Sequence, residues 1–150
     1  MNRIESKLIP ALFEELQNEK LISVSTVDHE TGGPNLCAIS WVYAESEERI
    51  LFVVDSRSRI IKNVEGNPLV VLNIIANESS YAISGKAKMK SEKLLNVPLN
   101  LSLISLDIEE VRDVMFYGSR ISVEPQYEKT YDKEAAGRLD RQVIEAMKKA

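Results

Sequence analysis

One cysteine, one histidine and one tryptophan are all that the 150 residues hold of those three types. The lone Cys37 cannot form a disulfide within the chain, which fits a reducing compartment. The lone His29 excludes a multi-histidine metal site. No Cys-x-x-Cys pair, phosphate-loop pattern or dinucleotide glycine fingerprint occurs, so neither a zinc cluster nor a nucleotide fold of those kinds is indicated. Apolar runs stop far short of the roughly 18 residues that span a membrane. The N-terminus, Met1 to Lys7, mixes charges with apolar residues and does not read as a secretory leader. A formal net charge of −4 argues against nucleic acid as a partner. The expectation is one cytoplasmic domain over residues 1–150, with no membrane and no nucleic acid.

What the chain does have is apolar material in short, patterned pieces. Hydrophobic residues make up 44% of it, enough for a core at a size where folding buries roughly 68–70% of the unfolded surface. Ile4, Leu8, Leu12 and Leu16 form a helical stripe widened by Ile9 and Phe13. Pro10 either kinks that helix or starts it. Leu21 to Val27 is β-branched and reads as a strand, and Asp28 to Pro34 is turn chemistry. Leu36 to Ala44 carries few charges on either face and reads as a central strand covered on both sides. Cys37 is accordingly expected as a buried, inert thiol, and His29 as an ordinary surface residue of the turn.

Ile50 to Val54 is a third strand. Arg59 to Glu65 follows as a short helix, stopped by Gly66 and Pro68. Leu69 to Ile75 is a fourth strand. From Tyr81 to Met89 apolar residues alternate with Ser84, Lys86 and Lys88, the pattern of a half-buried strand. Between Leu99 and Val114 the apolar phase slips, from Leu101 and Leu103 to Ile104 and Leu106, which suggests a bulge. Ile121 to Val123 reads as one more short strand. The last helix is capped by Asp132 and buries Ala136, Leu139, Val143 and Met147. The expected fold is mainly β: an antiparallel split barrel of six or seven strands, with a short helix between strands three and four and helices flanking it at both ends.

Chemistry concentrates at Asp55-Ser56-Arg57-Ser58-Arg59, with Lys62 one turn on. Hydroxyls and cations crowd a helix start, where free N–H groups and partial positive charge favour an anion such as phosphate. The plain alternative is a solvated turn with a serine cap. Trp41, after Ser40, is either core packing or a wall for a flat ring. Asn73 either faces solvent or offers a hydrogen bond to a ligand.

The run from Ile50 to Pro68 resembles the FMN-binding split barrels of the pyridoxamine 5'-phosphate oxidase type. In that family a strand and polar turn lead to a Ser-Arg-Lys motif at a helix start, then Asn-Pro before the next strand. Ser58, Arg59, Asn67 and Pro68 match, while Ile60 stands at the lysine position. The likeness in strand order and turn placement extends from about Leu21 to Met89. It implies an FMN cofactor, with the ring along Ala38, Ile39, Ser40 and Trp41 and along Val53, Val54 and Asp55. The phosphate would sit near Ser56, Arg57, Ser58 and Arg59, with Lys62 replacing the missing lysine. The resemblance also implies a homodimer with flavins at the subunit interface, residues after Phe116 reaching the partner's flavin.

The true oxidase has a C-terminal substrate segment rich in Arg, Trp and His, whereas Glu134 to Lys149 has no Trp or His. The expectation is therefore an FMN-dependent oxidoreductase acting on another small molecule. The alternatives are a flavin-binding or redox-sensing protein without catalysis, or a haem-binding split barrel. No catalytic acid or base stands out, and in flavin enzymes the cofactor itself carries the redox chemistry.

Overall fold

The computed structural model describes residues 4–150. Of the N-terminal segment read as no leader, Met1 to Arg3 lie outside the described residues. The elements in chain order are β1 (Ile4–Glu5), α1 (Pro10–Glu15), β2 (Ile22–Val27), β3 (Pro34–Ile39), β4 (Val42–Ala44) and β5 (Arg49–Asp55). They continue with α2 (Arg59–Gly66), β6 (Leu69–Ala76), β7 (Ser79–Ser91), β8 (Leu101–Asp113) and α3 (Lys133–Lys149). One antiparallel sheet runs β3-β2-β6-β7-β8-β5-β4, with β1 added beside β8. β3 and β4 are thus opposite edges of the sheet, yet only Ser40 and Trp41 separate them in sequence. The sheet must curl until its edges nearly meet, which makes it a split barrel.

The barrel interior is filled by alternate residues. Ile22 and Val24 of β2, Leu72 and Ile74 of β6, Ile83 of β7 and Ile104 of β8 are all buried there. α1 starts at Pro10, whose missing N–H suits the first helical position. Leu8, Leu12 and Leu16 plug one side of the core as their spacing predicts. Ile4 instead leaves that stripe for β1, where it is exposed.

Three expectations are corrected. Leu36 to Ala44 is not one covered strand: it breaks at Ser40-Trp41, and Leu36, Cys37 and Ala38 of the edge half are exposed. A run without charges signals burial only when something covers it, and among the described residues no strand pairs with the outer edge of β3. Cys37 is consequently an exposed free thiol. Residues 121–123 form no strand.

The phase change in β8 has a cause beyond the irregularity inferred there. Ile104 and Leu106 point into the barrel, while Leu101 and Leu103 point outward under α3, where they pack with Leu51, Val53, Val143 and Met147. Both faces are covered, so both phases are apolar. The pairing with β7 shifts register twice, once at the phase change itself, where Met89 pairs with Ile104 but Ser91 with Leu103, and again further along, where Ser84 pairs with Glu110 but Gly85 with Ile108. The extra residue, Glu109, turns Val111 back into the barrel interior. Gly85 is required there, because a Cβ would collide with the backbone carbonyl of Asp107. No helix among the described residues is long and apolar enough to cross a membrane.

Candidate functional site

An open cleft of about 340 Å³ lies over the seam of the barrel. One wall is Cys37, Ala38, Ile39, Ser40 and Trp41, at the end of β3 and across the break. The other is Val53, Val54 and Asp55 at the end of β5, with Ser58 and Ile60 from the start of α2. The fold explains the meeting. The Ser40-Trp41 crossover lays the chain beside β5, and Val53 N–H donates to the Trp41 carbonyl at 3.0 Å. β3 has a strand partner on one side only, so the backbone groups of its outer edge face the open side.

The start of α2 opens at the same end of β5. Ser58 caps the helix, its Oγ accepting from Ile60 N–H at 3.2 Å. Ser56 Oγ lies 2.8 Å from Ser102 Oγ, which in turn donates to the Glu92 carbonyl. Both arginines meet carboxylates of the chain itself. Arg57 grips Asp55 with its backbone N–H at 2.8 Å and its guanidinium at 3.1 and 3.3 Å. Hydrogen bonds from Arg57 hold the Asp55 carboxyl below the usual aspartate range. Arg59 reaches Asp28 at 3.4 Å, a long contact from a side chain 65% exposed. The Arg57–Asp55 pair is exposed on both sides, whereas Arg59, itself exposed, meets a buried Asp28 carboxylate. Lys62 is exposed and has no ion-pair partner among the described residues.

The predicted residues divide accordingly. Ala38 to Trp41, Val53 to Asp55 and Ser58 line one cleft. Ser56 and Arg57 share a neighbouring groove with Asp55, Lys93 and Asn100. Arg59 faces the β2–β3 turn. Asn73 does not join the cleft. Its Nδ2 donates to Ser80 Oγ at 2.8 Å and to the Tyr81 carbonyl at 3.0 Å, on the rim of a separate groove with Glu19 and Tyr127.

Two networks escape the sequence reading. Asn63, 1% exposed on α2, takes its Oδ1 bond from His29 N–H at 2.9 Å and donates to Thr26 at 2.9 Å and Asn35 at 2.7 Å. His29 is exposed on the turn, as expected, and its ring lies 2.9 Å from Asn63 Oδ1 and 3.3 Å from Glu30. One signal was available, since Asn63 lies three residues and Val64 four residues after Ile60, on one helix face. The second network ties the cleft to the C-terminal segment. Ser40 Oγ donates to Glu19 at 2.9 Å, and the indole N–H of Trp41 donates to Asp140 at 2.8 Å. Lys129 bridges both acids, at 2.9 Å to Glu19 and 3.3 Å to Asp140. Burial works against the charge of Lys129, but the hydrogen bond to Glu19 and the two carboxylates outweigh it and raise its pKa. Tyr127 also donates to Glu19, and its partial burial and that acid push its pKa up to about 12.

Comparison with known proteins gives a family match and a shared fold. Residues 8–115 match the sequence description of the pyridoxamine 5'-phosphate oxidase family. Among solved structures, HupZ of Group A Streptococcus superposes with a TM-score of 0.61 at 15% identity, over 77% of this chain and 100% of that one. HutZ, the haem storage protein of Vibrio cholerae, does so with a TM-score of 0.54 at 19% identity, over 73% and 95%. An F420 reductase gives 0.57 at 16% identity, over 69% and 98%. At these identities the likeness is one of fold. No curated protein matches the sequence.

Proposed function

From its membership of the pyridoxamine 5'-phosphate oxidase family, which the match over residues 8–115 establishes, we propose that this chain binds FMN in the cleft at the barrel seam and works as an FMN-dependent oxidoreductase. One observation carries the reading: Ala38 to Trp41 and Val53 to Asp55, distant in sequence, line a single cleft that ends at the start of α2. A flat ring against these walls would find apolar side chains, one indole and the backbone edge of β3. Its phosphate tail would reach Ser58, Arg59 and Lys62. Arg59 is the cation most readily recruited, because its 3.4 Å contact with Asp28 is the longer of the two arginine pairs. Bound flavin supplies the redox chemistry, and the chain positions and shields it.

The cleft is open on one side, and a second copy of the chain would cover it. Leu36, 72% exposed, and Val71, 37% exposed, both sit across from Ser25 on the outer face of the sheet. Ala38 continues this uncharged face to the cleft itself. A homodimer burying this face would place each flavin at the interface. The proposed substrate is a small molecule that meets the flavin from the open side of the cleft. The haem reading has less support: His29 is not among the residues lining the cleft, and it is engaged with Asn63 and Glu30.

The absorption spectrum of the purified protein tests the cofactor. Flavin bands, with fluorescence appearing on denaturation, support FMN. An intense Soret band, or no affinity for added FMN, overturns it.

A further inference from the structure

One stretch of the cleft wall falls between strands, its backbone tied by Lys20 N–H to the Ser40 carbonyl and by Val53 N–H to the Trp41 carbonyl. Ser40 and Trp41 lie in the gap between β3 and β4, outside every strand pairing. Trp41 is half-buried. It packs on the cluster beneath α3 with Leu139 and Ile144, and it also lines the cleft. An indole offers a single N–H donor and no acceptor, so the direction of that bond fixes how the ring stands. Its acceptor is Asp140 of α3, at 2.8 Å across 99 residues of sequence. Asp140 is itself held by Lys129, and Lys129 holds Glu19, which accepts from Ser40. Two adjacent residues of the cleft wall are thus tied to two acids that share one cation. The acids and the lysine are largely sheltered, with side chains 16 to 24% exposed, where such bonds are screened less than at the surface. Lys129 and Asp140 lie beyond residues 8–115, so this clamp belongs to the chain's own C-terminal segment.

We propose that Asp140 is a positioning residue for flavin binding: through the indole N–H it holds Trp41 as a wall of the cleft, with Lys129 keeping the Asp140 side chain in place. The proposal rests on the flavin reading above. It assigns the C-terminal helix a part in cofactor affinity although α3 contributes no residue to the cleft. The aspartate works as an acceptor more than as a charge toward Trp41, so an amide in its place keeps the indole bond.

The test is a set of FMN titrations followed by flavin fluorescence on the full chain, with the thermal midpoint of each variant recorded. Asp140→Leu is expected to weaken FMN binding by about tenfold, the loss of one charge-assisted hydrogen bond. Asp140→Asn is expected to stay within about threefold of the unmodified chain. In a Trp41→Phe background, which has the ring but no N–H, Asp140→Leu should change the affinity no further. That last comparison separates positioning from general loosening, because a merely structural effect of Asp140→Leu would persist without the indole N–H. Equal affinity of Asp140→Leu and the unmodified chain overturns the proposal alone. So does an equal loss in both backgrounds. An unmodified chain that leaves FMN fluorescence unchanged overturns the flavin reading, and this proposal with it.

Discussion

Asn63 Nδ2 on α2 donates to Thr26 Oγ1 on β2 in a fully buried bond of 2.9 Å. The same amide also reaches Asn35 and His29, so one side chain ties the helix to both strands of the β2–β3 hairpin and to its turn. Its removal leaves buried groups without partners, which costs about 1–3 kcal/mol for each unsatisfied group. Asn63→Ala should lower the unfolding free energy by about 2–3 kcal/mol in urea denaturation, with cavity and polar losses combined. A loss below about 0.5 kcal/mol, the size of a surface substitution, would contradict the role assigned to this network.

Asp28 anchors the other end of that turn. Its carboxylate accepts from Thr31 and Glu30 backbone N–H groups and from Thr31 Oγ1, at 2.9 to 3.2 Å. The Thr31 bond leads in holding its pKa below the ordinary value, Glu30 adds to it, and Arg59 contributes least. A carboxyl depressed in the folded state binds fewer protons there than when unfolded. Its contribution is therefore complete above the unfolded pKa of about 3.9 and is lost as pH falls through the lower folded value. The melting temperature should drop between about pH 5 and pH 2, and Asp28→Asn should drop less over that range. Parallel pH profiles for the two proteins would refute the assignment.

Gly85 has no room for a side chain at the β7–β8 bulge, because the carbonyl that a Cβ would meet is backbone. Gly85→Ala should destabilise by about 1–3 kcal/mol, as overpacking does. A neutral result in thermal denaturation would mean that the two strands separate there at little expense.

The two arginines of the anion site should differ. Arg59→Ala is expected to weaken FMN binding by about 1.5–3 kcal/mol, the range for hydrogen bonds to a charged group. Arg57, bound through three contacts to Asp55, is already occupied. Arg57→Ala should shift the affinity by less than about 0.5 kcal/mol. Isothermal titration of both variants with FMN checks the pair, and the reverse order of effects would move the phosphate to the Ser56–Arg57 groove.

Local pattern made much of this molecule legible before its structure. Ser58 caps the start of α2 and the helix ends at Gly66, next to its C-cap Asn67, because such signals are chemical and local. The strands β2, β5, β6 and β7 follow from β-branched runs and alternation, and of the residues that the resemblance pointed to, Ala38 to Trp41, Val53 to Asp55 and Ser58 line one cleft while Ser56, Arg57 and Arg59 lie outside it. What stayed hidden depends on partners far away in sequence. Nothing in Leu36 to Ala44 announces the break at Ser40-Trp41, which comes from the sheet closing on itself. The double phase of β8 was read as a bulge, and the pairing does shift register opposite Leu103 and Ile104, but that α3 covers the outer face was not visible in the sequence. The acids that meet Arg57 and Arg59 could not be assigned by spacing alone, and Asp140 lies 99 residues from the indole that it binds.

The sole tryptophan stands in the wall of the proposed cofactor cleft, so the protein carries its own reporter. Titrating the chain with FMN while recording Trp41 emission tests the central assignment most directly. Saturable quenching that reaches its limit at one flavin per chain is the predicted result. Emission that stays unchanged, or declines without saturation as FMN is added, would contradict a flavin seated between Ala38–Trp41 and Val53–Asp55.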